Sequence, residues 1–232
     1  MSAEDFLNGQ TLLIDKPLEW SSFQVVNKLR WLIRKQFNIK KIKVGHAGTL
    51  DPLATGLLLI CTGKFTKTIN ELQGQIKEYT GTITLGATTP SYDLETEVDK
   101  TFPTDHLDSD SIIKATQQFI GAIDQFPPVF SALKKDGKRL YEYARNGEEV
   151  EVKSRRIEIN EFEITAIDLE NLKVDFRVVC SKGTYIRSLA HDFGKALNSG
   201  GHLSALRRTK IGAYNVDNAF TPEAFETMIN QL

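Results

Sequence analysis

Between Gly45 and Gly56 the chain reads Gly-His-Ala-Gly-Thr-Leu-Asp-Pro-Leu-Ala-Thr-Gly, directly ahead of the apolar run Leu57 to Cys61. His46 and Asp51 are the ionisable side chains of this stretch, of types able to move a proton, although a lone His is more often a structural residue than a catalyst. The same composition also describes a surface loop in which glycines take positive φ and Asp51-Pro52 opens a turn. Other chemistries fail on spacing. A phosphate-cradling Walker loop needs Gly-Lys-Ser/Thr, but Gly63-Lys64 is followed by Phe65, which disfavours a nucleoside-triphosphate enzyme. Ser131-Ala-Leu-Lys134 matches the Ser-x-x-Lys of penicillin-recognising enzymes, yet their Lys-Thr-Gly and Ser-Asp-Asn partners are absent. A zinc deaminase needs a Cys-x-x-Cys, and Cys61 and Cys180 lie far apart. The four histidines, 46, 106, 191 and 202, show no ligand spacing, so no metal site is expected.

The elements that would position these residues are mixed. Ser21 or Ser22 can cap a helix whose apolar positions Val25, Val26, Leu29, Leu32 and Ile33 follow helical spacing. A second helix is predicted over 111–124, with Ile112, Ala115, Phe119 and Ile123 on one face, and a third over 185–198, ended by Gly200-Gly201. Period two places Tyr79, Ile83 and Leu85 on one face of a strand and Leu172, Val174, Phe176, Val178 and Cys180 on one face of another. The run 157–168 also reads as extended, and Leu169-Glu-Asn-Leu172 is short enough to make it a hairpin with the next strand. Strands joined by hairpins beside separate helices point to an α+β fold on a mostly antiparallel, mixed central sheet flanked by helices.

The chain has 232 residues, 41% hydrophobic and 25% charged, which suits one large domain and excludes collagen-like or wholly disordered classes. No apolar run approaches membrane-spanning length. The N-terminus carries acids and no basic residue ahead of an apolar stretch, and the two cysteines form no disulfide framework; together these lead us to expect a cytoplasmic protein. A net charge of −1 argues at first against a polyanionic partner, but the charge is segregated. Residues 28–43 hold seven basic side chains, among them Lys40, Lys41 and Lys43, and no acid. Residues 91–110 are acidic, and residues 177–210 hold seven basic residues against Asp192 alone. Such blocks either solvate a surface or face an anionic ligand.

Six segments carry a resemblance, in order, across about residues 10–215. They are Asp15-Lys-Pro17 with Ser21-Ser22, the Gly45–Gly56 loop, the strand from Tyr79 to Gly86, Gln125-Phe-Pro-Pro-Val-Phe-Ser-Ala132 with Lys134, Gly183-Thr-Tyr-Ile-Arg187, and Leu206-Arg-Arg208. Together they resemble the TruB family of tRNA pseudouridine synthases. Sibling families acting on ribosomal RNA carry Arg-Leu-Asp where this chain has Thr49-Leu50-Asp51. The resemblance implies the pseudouridine synthase fold and isomerisation of uridine to pseudouridine at position 55 in the T loop of tRNA. It implies neither cofactor nor metal.

By that resemblance Asp51 is the nucleophile, and Tyr79 stacks on the flipped uracil with its hydroxyl placed to shuttle the C5 proton. Arg187 is the cation that keeps Asp51 ionised against desolvation, and an Asp51–Arg187 ion pair is expected. His46, Tyr185, Leu206 and Lys16 fall among the substrate-binding residues. Of these, Lys16, with Pro17, is expected to act as structural support of the loop. Lys40, Lys41, Lys43, Arg207 and Arg208 are candidates for the RNA backbone. A single catalytic domain over residues 1–232 is expected, its N-terminal family region over about 31–181 and its C-terminal part over about 182–232. Only 22 residues follow Lys210, so a PUA-like RNA-binding domain is expected to be absent and recognition to rest on the T stem-loop, with the protein a monomer. Ala47 stands where the family commonly has Thr, a change expected to leave activity intact. The alternatives are a non-catalytic tRNA-binding or tRNA-folding module of the same fold, and a pseudouridine synthase with another RNA target.

Overall fold

The computed structural model describes residues 1–131, 133–148 and 150–232. Ala132, the last residue of the Gln125-to-Ala132 segment, lies outside them. The chain divides into two compact units, Met1–Tyr79 with Leu206–Leu232, and Thr80–Ala205. The strands Lys77–Leu85 and Gly201–Ile211 each run from one unit into the other.

In the first unit, Ser21 opens the helix Ser22–Gln36 with a capping box: its hydroxyl accepts from the Gln24 amide and the Gln24 side chain accepts from the Ser21 amide at 2.7 Å. The helix buries the predicted stripe Val25, Val26, Leu29, Leu32 and Ile33 against Leu12 and Ile14 of the strand Thr11–Lys16 and Phe225 and Ile229 of the helix Pro222–Asn230. The strand Ala54–Thr62 explains its own apolar run. Leu58 and Ile60 face that helical layer, whereas Leu57 and Leu59 face a second cluster with Ala47, Ile211 and Val216. A strand buried on both faces has no polar position to alternate with; each such leucine contributes about 1.5–3 kcal/mol through burial. It pairs antiparallel with Thr11–Lys16 and with Val44–His46, and parallel with Leu206 to Arg208. The sheet is therefore mixed and mostly antiparallel.

In the second unit the hairpin is present: Arg155–Asp168 pairs antiparallel with Lys173–Cys180, with Asp168 opposite Lys173. Phe162 meets Phe176 edge-on at 6.0 Å and meets Phe193 of the helix Ile186–Ala196 at 5.4 Å, so three elements share one aromatic core. The helix predicted over 111–124 is shorter. It spans Ser109–Ala115, continues as one 3₁₀ turn over Thr116–Phe119, and gives way to the strand Gly121–Gln125. Gly121 has φ +96, which breaks the helix, and the five residues pair instead with Arg155 to Ile159. Tertiary pairing outweighs local periodicity there. The architecture is α+β. Among the described residues no helix is long and apolar enough to cross a membrane.

Gly56 is where the parallel pairing is tightest. It lies at φ +103, and a β-carbon there would stand 2.3 Å from the Arg208 carbonyl oxygen. Gly56→Ala is expected to cost more than about 1 kcal/mol, because the new residue suits neither the backbone angle nor the space. Thermal unfolding checks this, and an unchanged Tm would refute it.

Candidate active site

Period two along Thr11–Lys16 directs Leu12, Ile14 and Lys16 to one face. Lys16 is thereby wholly buried, and its ammonium donates to the carbonyls of Pro17 at 2.8 Å, Trp20 at 2.6 Å and Pro52 at 3.3 Å. Burial pulls its pKa from 10.5 to about 8; the Asp51 carboxylate resists this and the Arg208 charge adds to it.

The segment around Asp51 is gripped at two further points. The Ser22 hydroxyl donates to the Leu50 carbonyl at 3.0 Å and accepts from the Leu50 amide at 2.8 Å. Arg208, 1% exposed, donates to the Leu57 carbonyl at 2.7 Å and to the Gly48 carbonyl at 3.2 Å. A backbone bond from Glu19 to the Pro52 carbonyl and one from Ala54 to the Asp51 carbonyl complete the turn. Asp51 itself is half-buried. His46 ends the short strand Val44–His46 opposite Ile60, and burial lowers its imidazole pKa, with Arg208 acting in the same sense. Tyr79 is buried on the face it shares with Ile83 and Leu85, and Leu206 is half-buried at the parallel pairing with Ala54.

The expected RNA-facing residues separate. Arg208, expected at the RNA backbone, is instead enclosed, its guanidinium donating to the Leu57 and Gly48 carbonyls. Arg207 forms a two-pronged pair with Asp15 at 3.0 and 2.7 Å, on the strand face opposite Lys16. Lys40, Lys41 and Lys43 are exposed and, with Arg30 and Arg34 from the capped helix, line a cavity of about 470 Å³ that has no acidic wall.

In the second unit, Tyr185 caps the helix Ile186–Ala196, and the buried Gln125 side chain pairs with it twice, accepting from the Tyr185 amide at 2.8 Å and donating to its carbonyl at 3.0 Å. Arg187 is 5% exposed; Asp93 lies 3.5 Å from its Nε, and its Nη1 donates to the Phe130 carbonyl at 2.9 Å. Ser22, Asp93 and Gln125 are the residues that sequence reasoning missed in these roles. Ser22 and Gln125 stood inside quoted motifs, and Asp93 was read only as part of an acidic block. Among the described residues no cluster of His, Cys, Asp and Glu could hold a metal ion, and Cys61 and Cys180 are buried free thiols.

Two family models match nearly the whole chain: the TruB family pseudouridylate synthase N-terminal domain over residues 34–186 and the tRNA pseudouridylate synthase B C-terminal domain over residues 187–231. The chain belongs to the TruB family. It is 67% identical to the tRNA pseudouridine synthase B of Flavobacterium johnsoniae, over 97% of this chain and 98% of that one. It is 54% identical to the tRNA pseudouridine synthase B of Phocaeicola vulgatus, over 98% and 96% respectively. Among solved structures, a chain of a Cbf5–Nop10–Gar1 complex superposes with a TM-score of 0.72 at 29% identity. That match covers 98% of this TruB-family chain and 56% of the other, so this chain spans little more than half the length of that relative.

Lys16→Met removes a buried ammonium shared by three part-buried carbonyls, of which Pro52 keeps the Glu19 amide, and is expected to lower stability by about 1–3 kcal/mol. Because the folded pKa lies below the unfolded one, the unfolded chain binds more protons between about pH 8 and 10.5. Wild-type stability should therefore rise relative to Lys16→Met across that window in urea titrations; parallel pH profiles would refute it.

Proposed function

We propose that this protein isomerises uridine to pseudouridine in tRNA, at position 55 of the T loop, with Asp51 as the nucleophile. The observation that carries the reading is the near full-length identity to tRNA pseudouridine synthase B, joined to an Asp51 segment gripped by buried side chains. The reaction breaks the bond between ribose C1′ and uracil N1, turns the ring, rejoins it through C5 and removes the C5 proton. The uridine must first leave its stack. A carboxylate suits the first step because it can add to the sugar, or assist its deprotonation, and later leave.

In this reading Arg187 is the cation that keeps Asp51 ionised against desolvation. Asp93 and the Phe130 carbonyl hold that guanidinium in one orientation. Tyr79 offers a buried ring for the uracil to stack on and a hydroxyl to accept the C5 proton; Tyr185 forms a second wall and Leu206 an apolar closure. His46, whose pKa partial burial lowers, fills the space the base leaves. The cationic groove at Lys40, Lys41 and Lys43 takes the RNA backbone, and the protein acts as a cytoplasmic monomer on the T stem-loop.

Tritium release from tRNA carrying 5-tritiated uridine tests the chemistry. Wild type should release tritium, and Asp51→Ala should fall at least about a thousandfold, as removal of a nucleophile does. No release by wild type, or equal release by both, defeats the assignment, and product mapping at any site other than position 55 defeats the target. For the groove, replacing Lys40, Lys41 and Lys43 together by Ala should weaken tRNA binding and flatten log K against log salt by up to about 2–3. An unchanged slope returns these lysines to a solvated surface.

A further inference from the structure

Three consecutive residues of the acidic loop meet one face of the helix Ile186–Ala196. The Asp93 carboxylate and the Ser91 carbonyl, the latter at 3.3 Å, hold Arg187 in the first turn. One turn on, the His191 ring lies flat on Tyr92, with centroids 3.9 Å apart and planes inclined by 17°. The i, i+4 spacing sets Arg187 and His191 side by side on the helix, as residues 91–93 set their partners side by side on the loop. Tyr92 reaches this position at φ +64, a conformation uncommon for a bulky residue. The turn is fastened on both sides, since the Tyr92 amide donates to the Thr89 carbonyl at 3.1 Å and its carbonyl accepts from the Leu203 amide at 2.9 Å. Neither ring has a part in the chemistry proposed above.

We propose that the Tyr92–His191 stack is a positioning device, which seats the Ser91–Asp93 turn on the helix and so sets the orientation in which Arg187 is presented to the reaction. The inference rests on the role of Arg187 proposed above. Flat stacking suits two neutral rings. The surroundings keep them so: burial lowers the His191 imidazole, with Lys195 adding to the drop and Asp99 opposing it, and burial raises the Tyr92 phenol, with Asp192 and Asp99 acting in the same direction. Tyr92 and His191 are thus positioning residues, and their effect on rate passes through Asp93 and Arg187.

The test uses the full chain and a tRNA transcript. His191→Ala and Tyr92→Ala should each lower kcat about tenfold, the scale on which a small misplacement acts, with KM moving less than about twofold. The aromatic replacements His191→Phe and Tyr92→Phe should recover kcat to within about threefold. In an Asp93→Asn background the alanine substitutions should add nothing, as expected of residues acting through one pathway. Alanine and phenylalanine variants equally slow, full additivity with Asp93→Asn, or a loss confined to KM would each overturn the proposal. Amide exchange separates this from the reaction itself. The Tyr92 and Leu203 amides should exchange slowly in wild type and His191→Phe and faster in His191→Ala, whereas equal rates in all three would overturn the stack's role. An inactive wild type would remove the proposed function and leave exchange to decide the stack.

Discussion

Three side chains from distant parts of the sequence take hold of one five-residue segment: Arg208 at Gly48, Ser22 at Leu50 and Lys16 at Pro52. Each gripping side chain is buried and two are charged, so removing the partner of either charge leaves a costly enclosed ion, and losing the Ser22 hydroxyl strands the buried Leu50 amide. Asp51 lies inside the gripped segment. The fold around it reads as the means of bringing these donors together. The strand Thr11–Lys16 carries Lys16 on its inward face, the helix cap places Ser22, and the close parallel approach at Gly56 carries Arg208 under the loop.

The cations divide by what surrounds them. Lys16 and Arg208 are enclosed, their charges met by carbonyl dipoles and, for Lys16, by the Asp51 carboxylate. Lys40, Lys41 and Lys43 face solvent along a groove without acids. A net charge near zero is therefore compatible with a polyanionic substrate, because the acids that balance the total are gathered elsewhere, notably around Asp93 to Asp110. Asp93 shows that even this acidic block is not uniform, since it is buried against Arg187.

Much of the fold was legible because local chemistry and tertiary packing agree. The capped helix at Ser22, the hairpin ending at Asp168 and the strand bearing Tyr79 all follow from spacing alone. The region 116–125 was not, because its helical periodicity competes with strand pairing that only the partner at Arg155–Ile159 reveals. For the candidate site, motif order singled out Asp51, Tyr79 and Arg187 as expectations, but motif order carries no depth. Arg207 and Arg208 are neighbours of the same type, yet one forms a half-buried pair with Asp15 and the other is enclosed. The Ser22 grip joins residues 28 positions apart and has no local signature.

The chemistry proposed for Asp51 would depend on the hold that Lys16, Ser22 and Arg208 keep on its segment. Single-turnover pseudouridine formation by Ser22→Ala, with enzyme in excess over tRNA, measures this most directly. The account predicts a rate at least about tenfold below wild type with tRNA affinity unchanged, since the grip on Leu50 is lost while the groove is untouched. A wild-type rate in that variant would contradict it.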